Sequence, residues 1–286
     1  GASTIGLWHM NETSGSTVTD FSGNSNNGTA TGTTVVDGKL GKARSFNGTS
    51  DLINLAKTPS VKGASQVTIE GWIYPTSLTN YFPIFYESNN TSGYTRLMLR
   101  VGTDGSLNMG GRDTDGTPSF VTFATSATSL ITTNKWYHVA GVYNADTDMH
   151  KVYINGIDVT STGNVTAATF PNTSPADNIY LGFATGGTYG SGILDEVRLT
   201  KRALTQEEIK ADAQLRPYGV YTSDVLDLES VNPTFNNINW TKNGVRTVTV
   251  RLISQQPIWW HSGILMKPAE QQRPVVVVAA QVAMAL

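Results

Sequence analysis

The sequence predicts an all-β protein: an antiparallel two-sheet jelly-roll sandwich with one short C-terminal helix, followed by a small β-rich C-terminal appendage. Two observations support this prediction. Residues 1–215 consist mostly of short alternating or β-branched segments separated by turns rich in glycine, asparagine and aspartate. Helical signals are concentrated near Gln206, and many strands with a single helix favour two packed sheets.

Local patterns justify the individual elements. Asn155 and Gly156 supply the two positive-φ residues that a type I′ hairpin turn requires. Thr205 and Glu208 have capping-box spacing, so a short helix is expected to start at Gln206. Strands are predicted where residues alternate or are β-branched and aromatic, at Val67–Tyr74, Thr95–Val101, Trp136–Tyr143, His150–Ile154, Asn178–Phe183 and Gly192–Leu199.

The segment Gly192–Leu199 places a carboxylate where a strand pattern asks for an apolar residue. At period two, Asp195 shares a face with Ile193, Val197 and Leu199. Burying a carboxylate is costly unless it meets a cation or several hydrogen-bond donors. Asp195 is therefore expected to be either a structural hydrogen-bond hub or a metal ligand.

The domain organisation is expected to change near Pro217, which ends the predicted helix. The chain then divides into a main domain (1–215), a small β appendage or partial domain (216–253) and an apolar tail (254–286). The uncharged end of the tail is shorter than the ~20 residues of a membrane-spanning helix, so no membrane span is expected. Three interpretations of the tail stay open: a buried last strand, a strand for self-association with a neighbouring subunit, or a segment not native to the domain.

Composition excludes several classes of function. The chain has 20 Lys and Arg residues against 22 Asp and Glu residues without a dense run of either sign, so nucleic acid is not an expected partner. Cysteine is absent, which excludes disulfides and thiolate chemistry. Abundant Thr, Ser, Asn and Gly with only 15% charged residues favour a turn-rich extracellular or cell-surface protein.

Six ordered blocks identify a family resemblance. They are Gly6–Glu12 with Asp20–Gly28, Gly41–Gly48, Val67–Ile73, Trp136–Tyr143, Val152–Gly156 and Gly192–Ile209. With these blocks, residues 1–215 resemble the laminin-G-like, concanavalin A-like lectin/glucanase jelly-roll domains found in surface proteins. The resemblance implies a two-sheet sandwich without catalytic activity of its own that recognises glycans or protein surfaces, often beside a structural calcium ion.

The resemblance also implies where calcium would bind. Asp20, in an Asp-x-Ser-Gly-Asn loop, and Asp195 are the matching acids, and Ser22 and Asn24 could add oxygens from the same loop. Ca²⁺ prefers 6–8 oxygen ligands, often carboxylates with the carbonyls of an irregular loop. The alternative is an Asx turn at Asp20 and a backbone-bonded Asp195.

Signals for catalysis are weak in this chain. Glycoside hydrolases place two carboxylates across a cleft, but Asp195 and Glu196 are adjacent and so face opposite sides of a strand. Glu70 has no acid partner two residues away, which indicates a surface or hydrogen-bonded glutamate. His138 lies within a predicted strand, where a structural role is expected. The sequence therefore predicts that this protein is not an enzyme.

Candidate ligand-binding residues lie in predicted loops, because loops on a rigid sandwich commonly hold binding sites. A sugar offers an apolar C–H face and hydroxyl groups, so aromatic rings next to planar polar groups suit it. The candidates are Tyr81, Phe82, Tyr86 and Tyr94, with Arg112, Asp113 and Tyr189.

Together these patterns predict a non-catalytic extracellular binding module that recognises a carbohydrate or another surface ligand. The alternative is a structural subunit of a surface appendage, filament, adhesin or phage tail that assembles through its C-terminal strands. The apolar tail is the sequence feature that favours this alternative.

Overall fold

The computed structural model describes residues 3–55, 61, 63–88, 95–111, 121–147, 149–163 and 178–214, and three strands beyond them. The chain forms two compact units, Gly1–Leu215 and Arg216–Leu286. The first strands are β1 (Thr4–Trp8), β2 (Thr17–Val18), β3 (Gly28–Thr31), β4 (Thr34–Asp37), β5 (Lys42–Asn47), β6 (Leu52–Asn54), β7 (Gln66–Ser77), β8 (Phe82–Ser88), β9 (Thr95–Val101), β10 (Leu107–Gly111) and β11 (Val121–Ser126). The others are β12 (Tyr137–Asn144), β13 (Met149–Ile154), β14 (Ile157–Asp158), β15 (Thr160–Gly163), β16 (Asn178–Leu181), β17 (Phe183–Ala184), β18 (Thr188–Tyr189), β19 (Ser191–Thr200), helix α1 (Gln206–Ala213), β20 (Gly219–Thr222), β21 (Thr249–Arg251) and β22 (Ala279–Ala283).

Two large antiparallel sheets form the first unit. Sheet A has eight strands in the order β14-β13-β12-β7-β19-β5-β4, with β1 also paired to β19. Sheet B has nine strands in the order β15-β11-β10-β9-β8-β16-β6-β3-β2. Alternate residues of both sheets point into a shared core, which includes Trp8, Ile69, Phe85, Leu99 and Val197. The predicted all-β sandwich with one short helix is confirmed.

The Asn155-Gly156 turn joins β13 to β14. Asn155 has φ 52° and Gly156 has φ 78°, so both central residues are left-handed, as the hairpin prediction required. Gly156 lies against helix α1, because a Cβ on it would come within 2.7 Å of the Lys210 backbone. The turn therefore contributes both to the hairpin and to the packing of α1.

Helix α1 begins where the capping box predicts. The Thr205 hydroxyl accepts from the Glu208 backbone N–H at 3.3 Å, and the Glu208 carboxylate accepts from the Thr205 N–H at 2.9 Å. Leu204 and Ile209 pack with Ala140, Val142 and Tyr153 in a second apolar cluster. Because this cluster lies on the face of sheet A away from the main core, α1 covers the outside of the sandwich.

A β-bulge in β19 changes the face on which Asp195 lies. The pairing of β19 with β7 shifts between Asp195 and Arg198, and Glu196 has φ 53°. Leu194, rather than Ile193, therefore joins Val197 in the core. The prediction that Asp195 shares the face of Val197 and Leu199 was wrong, because it assumed an unbroken period of two. Asp195 is nevertheless fully buried, beneath the turn between β4 and β5.

The second unit contains a three-stranded sheet in the order β20-β22-β21. Its central strand, Ala279–Ala283, comes from the apolar tail and pairs on both edges within the same chain. The three interpretations of the tail, including a buried last strand and self-association with a neighbouring subunit, stay predictions. In the described residues, no helix has the length and apolar character needed to cross a membrane.

Candidate functional site

A pocket of about 230 Å³ opens on the outer face of sheet B, over β8 and β9 and beside the β17–β18 hairpin. Leu97, Leu99 and Val101 of β9 point into the core, so Met98 and Arg100 between them point outward into this pocket. We call it the Arg100 pocket. It is lined by Tyr81, Pro83, Tyr86, Thr95, Met98, Arg100, Ala184, Thr185 and Thr188.

A second β-bulge, in β8, determines which of its residues reach the pocket. Pairing with β9 shifts between Pro83 and Phe85, so Phe82 and Phe85 both face the core while Pro83 and Tyr86 face outward. Phe82 was predicted to touch ligand, and that prediction was wrong because its ring is fully buried in the core. Gly190 leaves room for this ring, since a Cβ there would come within 2.1 Å of it.

The Tyr86 hydroxyl is the centre of a small hydroxyl cluster in the pocket. It lies 3.0 Å from Thr95 Oγ1 and 2.5 Å from Thr185 Oγ1. Tyr86 is 3% exposed, so its ring does not offer an open face to solvent. Hydroxyl groups both donate and accept, which makes this cluster suited to a polar, hydroxylated ligand.

The Arg100 guanidinium lies over the Tyr81 ring, with its central carbon 3.8 Å from the ring centroid. Tyr81 lines the pocket and is 39% exposed, so part of its side chain is accessible from solvent. Burial lowers the pKa of Arg100 below the usual arginine value, although the group stays charged at neutral pH. A stacked guanidinium is held in one plane, and this restricts the directions in which it can donate.

Three further rings extend the aromatic surface beside the pocket. Phe183 contacts Tyr180 at 5.1 Å between ring centroids and Tyr189 at 4.7 Å. All three side chains are partly exposed. Tyr189, a predicted ligand residue, thus lies on β18 next to the lining residue Thr188, with its ring packed on Phe183.

The structure therefore brings two of the predicted ligand-binding residues together in one pocket. Tyr81 and Tyr86 line one pocket, while Tyr94, Arg112 and Asp113 lie outside the described residues. The sequence analysis missed Arg100, although its alternation with Leu97, Leu99 and Val101 was a usable signal for an outward side chain. It also missed Thr185 and Thr188, for which no local pattern distinguishes lining residues from other loop residues.

Asp20 organises the loop in which calcium was predicted. Its Oδ1 accepts from the backbone N–H groups of Leu7 and Ser22, at 2.9 and 2.8 Å. Its Oδ2 accepts from the Ser22 hydroxyl and the Asn26 N–H, each at 2.8 Å. The Asn24 side-chain amide donates to Ser22 Oγ and to Thr4 O, both at 3.0 Å. These contacts fit a hydrogen-bonded loop hub, because four donors already occupy the oxygens that a cation would need.

Asp195 has a different environment. Its Oδ2 accepts from the Leu40 N–H at 2.9 Å, but its Oδ1 has no hydrogen-bond partner among the described residues. Burial raises the pKa of Asp195 to about 7, and the Glu196 carboxylate next to it acts in the same direction. An open buried oxygen fits a cation, yet the described residues contain no group of three or more His, Asp or Glu side chains that could hold a metal. Calcium at Asp20, Ser22, Asn24 and Asp195 stays a prediction.

A buried ionic cluster lies beneath α1. Arg198 pairs with Glu70 of β7 and with Asp212 of the helix. His138 Nε2 lies 3.6 Å from Glu70 Oε2. Burial raises the pKa of Glu70 to about 7 against the lowering effect of Arg198, and burial lowers the pKa of His138 to about 3. Glu70 and His138 are almost fully buried. Because Arg198 pairs with both Glu70 of the sheet and Asp212 of the helix, this cluster connects the helix to the sheet.

An antiparallel two-sheet sandwich of this kind, with a small pocket on an outer face, is a concanavalin A-like architecture. A laminin-G-like family model, described as the concanavalin A-like lectin/glucanases superfamily, matches residues 47–210. Because the match covers more than half of the chain, the protein belongs to this superfamily. No curated protein matches the chain.

Solved structures support the same fold. Domain 4 of AbnA, a GH43 extracellular arabinanase from Geobacillus stearothermophilus solved with arabinotriose, is 24% identical with a TM-score of 0.58, covering 74% of this chain and 98% of that domain. The binding domain of Paraclostridial Mosquitocidal Protein 1 is 18% identical with a TM-score of 0.55, covering 74% of this chain and 52% of its own. Trypanosoma rangeli sialidase in complex with sialic acid is 16% identical with a TM-score of 0.53. The match covers 74% of this chain and 33% of the sialidase chain.

Proposed function

We propose that the protein is a non-catalytic extracellular module that binds a glycan in the Arg100 pocket. One observation carries the proposal: the pocket places an exposed aromatic ring, Tyr81, beside the hydroxyl cluster of Tyr86, Thr95 and Thr185. A sugar ring offers an apolar C–H face and a rim of hydroxyl groups, and this lining can meet both.

Relatives of the fold agree with this assignment. The AbnA domain was solved with arabinotriose, and the mosquitocidal domain is named a binding domain. Both likenesses cover nearly three quarters of this chain. Since the AbnA enzyme is extracellular, its domain also supports an extracellular or cell-surface location for this module.

Two observations on carboxyl groups support binding over turnover. A glycoside hydrolase needs two carboxyl groups facing each other across an accessible cleft. Here Glu70 and Asp212 both pair with Arg198, and α1 covers them. The described lining of the Arg100 pocket contains hydroxyl, aromatic, apolar and guanidinium groups without a carboxyl group.

The proposal also includes a structural calcium ion at Asp195. The open Oδ1 of Asp195 is a better-suited ligand than Asp20, whose oxygens are occupied by four donors. Asp195 is buried away from the Arg100 pocket, on sheet A, so an ion there would stabilise the sandwich and would not touch the glycan.

A glycan array followed by calorimetry tests the binding proposal. Tyr81→Ala should weaken binding of the best glycan by about three- to ten-fold, the value of one aromatic contact. Phe21→Ala is the matched control, because Phe21 is an aromatic residue 54% exposed outside the pocket. The proposal is wrong if the folded protein binds no glycan, or if both substitutions weaken binding equally.

A further inference from the structure

We propose that the protein binds two consecutive sugar residues of a glycan chain, one in the Arg100 pocket and the next on the adjoining aromatic surface. This surface, which we call the Phe183 surface, consists of Tyr180, Phe183 and Tyr189. The inference rests on the proposed glycan-binding function and specifies its ligand class as oligosaccharides rather than single sugars. It derives from the register of β16, the two faces of the β17–β18 hairpin and the size of the pocket.

The register of β16 places Tyr180 next to the pocket. Ile179 and Leu181 point into the core, so Tyr180 between them points to the outer face of sheet B. Tyr180 pairs directly with Tyr86 of β8, and the Cβ atoms of such a pair lie about 4.5–5.5 Å apart. Burial raises the pKa of Tyr180, and the Tyr86 phenol acts in the same direction, which agrees with two neighbouring hydroxyl groups. The Phe183 surface therefore begins one strand away from the hydroxyl cluster of the pocket.

The β17–β18 hairpin has one face on each of the two sites. Its cross-strand pairs are Phe183 with Tyr189 and Ala184 with Thr188. Because successive residues of a strand point to opposite faces, each pair has a face of its own. Ala184 and Thr188 line the pocket. On the other face the Phe183 ring packs against Tyr189 and Tyr180, so the hairpin is a boundary that the pocket and the Phe183 surface share.

The tip of this hairpin presents no side chain to a ligand. Gly186 and Gly187 form the tip, with φ 95° and 84°. Among the described residues, no heavy atom beyond the adjacent ones lies within 4 Å of the place where either glycine would carry a Cβ atom. The space around the tip is therefore open, and a glycan chain that leaves the pocket can cross the hairpin there.

The chemistry of the Phe183 surface suits the apolar face of a sugar ring. All three of its residues are partly exposed. Single exposed apolar side chains are common on proteins, but clusters of them mark interaction sites. The rings can pack against the C–H groups of a sugar, and the two tyrosine hydroxyls can bond with its hydroxyl groups.

The size of the pocket indicates which ligand covers this surface. The cavity of about 230 Å³ is smaller than the roughly 300–1,000 Å³ of pockets for drug-sized ligands, so it suits one sugar residue. The next residue of a longer glycan then lies outside the pocket. Because the Phe183 surface adjoins the pocket along the hairpin, a continuing glycan chain is the occupant that this arrangement favours.

The test is the dependence of affinity on chain length. Calorimetry would measure the full chain against the mono-, di- and trisaccharide fragments of the best glycan of the array, each as its methyl glycoside. Weakly bound fragments would be measured by displacement of the trisaccharide. We expect the disaccharide and the trisaccharide to bind about three- to ten-fold more tightly than the monosaccharide, the value of one aromatic contact.

Variants connect this gain to the Phe183 surface. Phe183→Leu should remove most of the gain and leave the monosaccharide affinity unchanged, because leucine keeps an apolar contact with the neighbouring rings but has no ring of its own. Tyr81→Ala should weaken all three fragments alike, since Tyr81 lines the pocket. Phe21→Leu is the matched control, because Phe21 is an exposed phenylalanine packed on another ring, His9, outside both sites. Thermal unfolding checks that each variant folds.

The outcomes separate the hypotheses. Equal affinity of the wild-type chain for all three fragments would overturn the two-residue inference while leaving glycan binding intact, and this result needs no variant. A gain that survives Phe183→Leu, or that Phe21→Leu also removes, would overturn it as well. Equal weakening of all three fragments by Phe183→Leu would show that the rings only hold the hairpin, which again overturns it. Failure of the folded chain to bind any fragment or any glycan on the array would contradict the proposed function itself.

Discussion

Replacing Asp195 with Asn should stabilise the protein at pH 8 and destabilise it at pH 4. Asp195 is fully buried, its Oδ2 accepts from Leu40, and its Oδ1 has no hydrogen-bond partner among the described residues. Burial therefore opposes the charged form of the side chain. Asparagine has nearly the same shape, keeps an acceptor for the Leu40 N–H, and carries no charge.

The magnitude follows from the pKa shift. The pKa of Asp195 rises from 3.8 to about 7 in the folded protein. Between these two pH values the folded state holds a proton that the unfolded state has released, so the free energy of unfolding falls as the pH rises. At ~1.36 kcal/mol per pKa unit the full cost of the charge is at most about 4 kcal/mol above pH 7.

Asp195→Asn removes this cost and so stabilises the folded state. Part of the stabilisation is lost, because the new amide NH₂ group is itself buried without a partner, at a cost of about 1–3 kcal/mol. We expect Asp195→Asn to raise the free energy of unfolding by roughly 1–3 kcal/mol at pH 8 and to lower it by about 1–3 kcal/mol at pH 4, where the charge cost is absent and the unpaired NH₂ group remains. For a domain of this size that gain corresponds to a Tm increase of about 2–4 °C per kcal/mol.

The assay is denaturant and thermal unfolding of the full chain, in the presence of chelator, at intervals from pH 4 to pH 8. Asp20→Asn is the matched control: the same isosteric change places an NH₂ group against N–H and O–H donors, so it should destabilise at every pH by about 1–3 kcal/mol. The reasoning fails if the pH profiles of wild type and Asp195→Asn run parallel, or if both Asn variants lose stability alike at pH 8.

Three further predictions concern the helix and calcium. Arg198→Met should lower the free energy of unfolding by about 3–5 kcal/mol in denaturant titrations, because it strands the buried Glu70 carboxylate; a loss below 1 kcal/mol would contradict a buried ionic link. Thr205→Ala should cost about 1 kcal/mol through loss of the helix cap, while Thr205→Ser should be nearly neutral in the same assay. If calcium binds at Asp195, chelator should lower the Tm of the wild type and leave that of Asp195→Asn unchanged; an unaffected wild-type Tm would exclude a stabilising ion.

Much of the fold could be predicted because its signals are local. The Asn155-Gly156 turn needs two left-handed residues, and this dipeptide adopts that conformation readily. The Thr205 capping box also operates within a few residues of chain. Alternation of apolar residues marked Thr95–Val101 as a strand and, in retrospect, marked Arg100 as an outward side chain.

The two main errors, at Asp195 and at Phe82, have different causes, and the first is a β-bulge. A bulge inserts one residue into a strand and exchanges the two faces beyond it, and neither site here contains the glycine or asparagine that would announce it. At Asp195 the missed bulge led to the prediction that the carboxylate shares the core face of β19, whereas Phe82 was predicted as a ligand contact because its segment was interpreted as a loop rather than as strand β8. The positions of both bulges depend on pairing with distant strands, which a single sequence does not show.

The two bulges also explain why the pocket and the buried carboxylate exist at all. Without the shift in β8, Phe82 and Tyr86 would share a face, and the Tyr86 hydroxyl could not meet Thr185 on the outside of sheet B. Without the shift in β19, Asp195 would lie among the apolar residues of the core instead of beneath the Leu40 turn. In each case the irregularity costs ladder hydrogen bonds and moves a polar group to a face where it finds partners. The candidate binding site is thus a consequence of broken alternation in β8.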